Sequence, residues 1–160
     1  MMTRNSGFSL IEVLVALLIL SVGLLGIAGM QTLSVQMNVS ARQSSQATYL
    51  AYEIIDRMRA NRQAALAGDY NHDSDGCQDI PGGNSVADTD LSAWLNVLCG
   101  MTDDGNTAPA MLPQDAAAGT GASVDVDDGI ATVTVSWYDE RWENDENSDP
   151  VRTVTVQVEL

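Results

Sequence analysis

At 160 residues, with 22 acidic side chains against seven basic ones and a net charge of −15, the chain has room for one ordinary domain or for a small domain on a long appendage. Nineteen of the acidic residues, but only Arg141 and Arg152 of the basic ones, fall in 69–160, while the first 68 residues are slightly basic. A field of that sign repels phosphate, so nucleic-acid binding is excluded as a main role and anionic lipid headgroups are poor partners for the acidic part.

The chain opens with a short polar leader, Met1 to Gly7, carrying one positive charge, Arg4. From Val13 the run VLVALLILSVGLLGIAGM is apolar for 18 residues apart from Ser21, near the minimum that a helix needs to cross a bilayer. Glu12 stands at its start, where a buried unpaired carboxylate would cost several kcal/mol. Gly23, Gly26 and Gly29 recur every third residue, which permits close approach by another helix and weakens this one locally.

The helical period continues past the apolar run. Leu33 and Met37, then Ala47, Leu50, Ile54 and Met58, make one apolar face, with Arg42, Gln46, Glu53, Arg57 and Arg59 placed opposite it. No proline occurs between Met1 and Ile80, and Gly68 is the expected stop. The pattern predicts one helix over 8–67, its membrane-spanning half at 8–30. At 1.5 Å per residue such a helix is roughly 90 Å long, too long for the core of so small a globule, so its first half needs burial elsewhere.

Residues 68–121 read as loop-rich, with GDYNHDSDG, PGGNS and DDGN as turn signals. Inside them DTDLSAWLNVLCG predicts a short helix capped by Asp90, with Leu91, Trp94, Leu95 and Leu98 on one core-packing face and Gly100 at its end. Cys77 and Cys99 both lie in the part that an N-terminal apolar segment would carry across a membrane, and two cysteines in an exported domain point to a disulfide. The last forty residues change period from 3.6 to 2: ASVDVDDG, IATVTVSWYDER and VRTVTVQVEL predict a three-strand antiparallel meander over about 122–160, with Asp128-Gly129 as a tight turn. Val133, Val135 and Trp137 share one face of its middle strand. A sheet face laid on a helix stripe makes an α+β head, an acidic unit over 68–160.

A short basic leader ending in glycine, then FSLIEVLVALLIL, then a long helix resembles the type IV pilin and type II secretion pseudopilin superfamily. The stretch GFSLIEV carries the resemblance, with glycine before an aromatic residue and glutamate fifth in the segment that follows. The resemblance implies that a prepilin peptidase cuts between Gly7 and Phe8 and methylates the new amino group of Phe8, and that Glu12 aids subunit assembly. GIAGMQ and YLAYEIIDRMRANRQAA, above all DRMRANR from Asp56 to Arg62, are similar to the PilV type of minor pilin. The expectations that follow are a pilin-like α+β fold and a single-pass precursor in the inner membrane. After processing, the subunit would lie in the pilus at the cell surface, near the tip, supporting assembly and adhesion or motility. Partners implied by resemblance are the prepilin peptidase, other minor pilins, the major pilin and a tip-associated adhesin. A type II secretion pseudopilin is the alternative within the superfamily.

Three other interpretations weigh less. A cleaved secretory signal, with Gly26-Ile27-Ala28 as the cleavage context, leaves Glu12 and the continuing helix unexplained. An enzyme finds little support: His72 is the only histidine, expected in an acidic loop, and no serine or cysteine sits in a nucleophile motif. A calcium loop is suggested by Asn71, Asp73 and Asp75 before Gly76, but the position of the closing bidentate glutamate is Gly82, leaving Asp69 or Asp79 to substitute. An acidic surface loop stapled through Cys77 is the simpler account, and neither metal nor cofactor is expected.

Overall fold

The computed structural model describes residues 7, 9–75, 77, 80–100, 109–139 and 149–160. Phe8, Gly76, Asp79 and Arg141 lie outside the described residues. The chain divides into two compact units, Met1–Val39 and Ser40–Leu160. Helix α1 (Leu10–Ala60) belongs to both.

In the first unit α1 starts where the Ser9 carbonyl accepts from the amides of Glu12 and Val13, at 3.0 and 3.3 Å. Every side chain from Leu10 to Val39 is exposed. An 18-residue window here has a mean hydropathy of 2.7, with none of it buried within the chain. So much uncovered apolar surface belongs in lipid or against other helices, not in water. Two of its hydroxyls are compatible with that setting, because Ser21 and Thr32 return them to the carbonyls of Leu18 and Ala28, at 2.8 and 3.1 Å.

The second unit has a core of its own. Ala47, Leu50, Ala51, Ile54, Ile55 and Met58 form the buried stripe of α1, the three-to-four spacing expected from the sequence. The helix breaks at Asn61 (φ −117°, ψ 48°), and a separate short α2 (Arg62–Leu66) follows before Gly68 turns the chain at φ +85°. A single helix to 67 is therefore corrected to two pieces. Next come β1 (His72–Asp75) and α3 (Val86–Cys99), which lays Ala87, Leu91, Trp94, Leu95 and Leu98 into the core. The Trp94 indole N–H donates to the Leu50 carbonyl of α1 at 2.9 Å, so the one polar atom of a fully buried ring is paired.

The sheet has four antiparallel strands in the order β1-β2-β3-β4, with β2 at Gly121–Asp127, β3 at Ile130–Tyr138 and β4 at Val151–Glu159. The expected meander is β2 to β4. Asp128 and Gly129 both take positive φ, 47° and 80°, as a two-residue hairpin requires. Ala122, Val124, Ala131, Val133, Val135 and Trp137 turn into the core, and Val154, Val156 and Val158 pack on its margin. The three-strand prediction misses β1, which lies in the stretch read as a loop. It pairs with β2 from His72↔Val124 to Asp75↔Gly121, although its sequence has no apolar alternation to announce a strand. His72 thus sits in a strand, not a loop.

The cap of α3 also differs from expectation. Asp90 lies inside the helix, and Ser85 is the N-cap: its hydroxyl accepts from the Asp88 amide at 3.0 Å while Asp88 accepts from the Ser85 amide at 3.2 Å. Gly100 ends the helix in the left-handed conformation, φ 68°, as the sequence indicated.

Candidate functional site

Two clusters of residues carry the functional argument, one in each unit. In the first, Gly7 is exposed and a side chain added there would meet nothing within 4 Å. Five residues on, Glu12 is exposed in the first turn of α1, where a negative charge is favoured by the unpaired amides of the helix start. It borders a groove with Val13, Ala16, Leu17 and Leu20, so the carboxylate stands at the head of an apolar strip. Positions equivalent to Cβ at Gly23, Gly26 and Gly29 are open as well, leaving the backbone accessible along that part of the helix.

The second cluster shows what the DRMRANR stretch does in the folded unit. Arg57, expected on the face opposite the core, is half-buried and reaches from α1 to α3. It donates to the Asp90 carbonyl at 3.1 Å and to Glu53 Oε1 at 2.6 Å, with Asp90 Oδ1 at 3.7 Å. Asp90 also accepts the Tyr70 hydroxyl at 2.6 Å, and Tyr70 accepts from Asn61 Nδ2 at 3.3 Å. Arg62 donates to the Leu160 carbonyl at 2.8 Å, and Asp56 pairs with Arg59 at the surface at 3.2 Å. Within this unit the motif is a set of ties between the end of α1, the turn after α2, α3 and the last residue of the chain. Sequence reasoning found the motif but not the ties, since Tyr70 and Asp90 are distant along the chain from Arg57.

Burial and the Asp90 carboxylate push the Tyr70 phenol up from 10.0 to about 12. The neutral phenol is the favoured form in the folded state. Its contribution to stability is whole below pH 10 and is lost as the pH rises towards 12. Tyr70→Phe should cost about 1.5 to 3 kcal/mol at neutral pH, the worth of a hydrogen bond to a charged acceptor. The stability gap to wild type should then close between pH 10 and 12, as read by chemical denaturation at stepped pH. A gap that stays constant across that window would show that the phenol does not titrate as described.

Cys77 and Cys99 form a disulfide, with Cα atoms 5.8 Å apart. The stretch suggested as a calcium loop is laid out differently from one. Asn71 spends its side-chain oxygen on the Val126 amide at 2.8 Å, and Asp73 lies in β1 opposite Ser123. Extended backbone does not wrap oxygens around a point as a calcium loop does. Among the described residues no group of three or more His, Cys, Asp or Glu side chains gathers to hold a metal ion.

An apolar helix able to cross a membrane by length and composition is continuous in sequence with an acidic, disulfide-bonded α+β unit, the layout of a helix-anchored α+β protein. Within that layout, residues 2–28 match the model of the prokaryotic N-terminal methylation motif. No curated protein and no solved structure matches the chain. The motif supports a type IV pilin or pseudopilin-like protein, processed by a prepilin peptidase and anchored in the membrane before assembly with other pilins. It points to a structural protein rather than an enzyme.

Proposed function

We propose that the chain is a minor pilin, incorporated near the tip of a type IV pilus after its leader is removed. The observation that carries this is the methylation motif at residues 2–28, whose part from Leu10 lies on a helix that continues, unburied, to Val39. A cleaved secretory signal would need no such continuation. Gly7 and Phe8 are the junction that the prepilin peptidase cuts and methylates, and Glu12 is the assembly residue. The DRMRANR stretch favours the minor-pilin type. Other minor pilins, the major pilin and a tip-associated adhesin are its partners, and the pilus supports adhesion or motility.

Pili sheared from the cell surface should contain the processed chain, detected by mass spectrometry. If the chain is missing from pili and its deletion stops protein secretion, the pseudopilin function replaces this one. The junction has its own test. Gly7 is exposed and uncrowded in the single chain, so Gly7→Leu should not disturb folding, yet the added side chain would obstruct approach to a membrane protease. The variant should accumulate as uncleaved precursor. A mature product of normal mobility from Gly7→Leu would remove the prepilin assignment.

A further inference from the structure

The two edges of the sheet are built differently. β1, at one edge, has only four residues and two of them are aspartates, so shortness and charge both discourage pairing with another strand. At the other edge β4 pairs with β3 in unbroken register over nine residues, Val151↔Tyr138 to Glu159↔Ile130. Between Thr153 and Val158 it has no proline, charge or bulge.

The register also fixes which backbone groups face outwards. Leu160 donates to the Gly129 carbonyl at 2.9 Å, and Asp139 donates to the Pro150 carbonyl at 2.8 Å. Both pairs continue the β3–β4 register, so the even-numbered residues of β4 exchange hydrogen bonds with β3. The odd-numbered ones, Thr153, Thr155 and Gln157 among them, direct N–H and C=O away from the sheet. Among the described residues no strand pairs with that edge. The template is held in place from its outer face: Thr153 meets Ser136 at 3.2 Å, Thr155 meets Thr134 at 3.3 Å, and Gln157 donates to Thr132 at 3.2 Å. On the inner face Val154, Val156 and Val158 are only half-buried, so the apolar layer stops at this strand with its margin open.

We propose that the free edge of β4 accepts one extended strand from a different, positively charged protein, which becomes a fifth strand of the sheet. Its apolar side chains would alternate with polar or basic ones, covering the valine margin on the inner face and leaving the others on the hydroxyl-rich outer face. The occupant follows from charge. Residues 69–160 carry 19 acidic side chains against two arginines, so a second copy is repelled and a cationic strand attracted. The proposal rests on the sheet alone and does not depend on the pilin function.

The test uses the full chain in detergent micelles and a short synthetic peptide alternating valine and arginine. The peptide should bind, more weakly as salt rises, and should slow amide exchange at Thr153, Thr155 and Gln157. Thr155→Pro removes an outward N–H that β3 does not use, together with the hydroxyl contact to Thr134. It should therefore lower the melting temperature modestly, no more than Thr155→Val does, while weakening peptide binding at least about tenfold where Thr155→Val does not. If the proline variant does not fold, the wild-type exchange pattern decides. The proposal fails if an alternating valine–glutamate peptide binds equally well, or if bound peptide leaves those amides unprotected. It fails too if they are already protected without peptide, whether at all concentrations, which would mean that the chain covers its own edge, or only as concentration rises, which would mean that a second copy does.

Discussion

Cys99→Ala should lower the stability of the chain by about 2 to 5 kcal/mol, the usual cost of losing a native bridge in a small exported domain. The bridge joins the segment after β1 to the last residue of α3, spanning a sequence separation of 22. Without it the unfolded chain regains the freedom of that loop, worth roughly 3 kcal/mol on the chain-entropy model. Two features make the native side sensitive as well. Cys77 is buried and holds a left-handed backbone, φ 61°, a conformation costly for a residue with a Cβ unless the surroundings impose it. At the other end Gly100 closes α3 directly beside Cys99, so the bridge fixes the helix end from which Leu98 enters the core. Denaturant titration of wild type with and without reductant, beside Cys99→Ala, checks the prediction: reduced wild type and the variant should fall together. A variant with an unchanged midpoint, or two free thiols in protein isolated without reductant, would show that the bridge carries no such load.

The parts of the fold that were legible in the sequence are those where one physical demand repeats along the chain. The stripe Ala47, Leu50, Ile54, Met58 and the alternation Val133, Val135, Trp137 are readable because each residue meets the same core at a fixed period. The Asp128-Gly129 turn is readable because few residues accept positive φ twice in succession. β1 was hidden for the opposite reason. Its sequence HDSD has no apolar alternation to advertise, and it is a strand because β2 offers it a backbone partner. The helix cap was misplaced on Asp90 because that residue precedes the apolar run, whereas the actual box of Ser85 and Asp88 lies one turn earlier. Asp90 is instead held by Tyr70 and Arg57, and no spacing rule links residues from three separate elements. In the N-terminal unit the balance reverses. Gly7 and Glu12 are legible as a motif, while the fold of one chain asks nothing of them, since on the proposed function what they meet is a peptidase and a neighbouring subunit.

Glu12→Ala should leave cleavage and membrane insertion intact but strongly reduce incorporation into pili. The carboxylate lies in the first turn of α1, so in a membrane-inserted precursor it would stand near the headgroup region, in contact with water and at small cost. On the proposed function, assembly would pack the same exposed helix, Leu10 to Val39, against other helices, and that water would be lost. The charge would then need a positive partner, and on the proposed processing the available one is the amino group created at Phe8, which methylation would leave positive. An unpaired carboxylate in that setting costs several kcal/mol, while a paired one is tolerated, so the residue acts by penalising wrong registers more than by adding stability to the right one. Replacing Glu12 with alanine removes both the penalty and the attraction that recruits the subunit. Glu12→Gln separates charge from shape: it keeps the size and hydrogen-bonding reach of the side chain and cannot form an ion pair. Quantifying the subunit in sheared pili against the membrane fraction for all three proteins decides the matter. Glutamine should behave like alanine, and incorporation of Glu12→Gln at the wild-type level would end the ion-pair account while leaving room for a packing role at the same position.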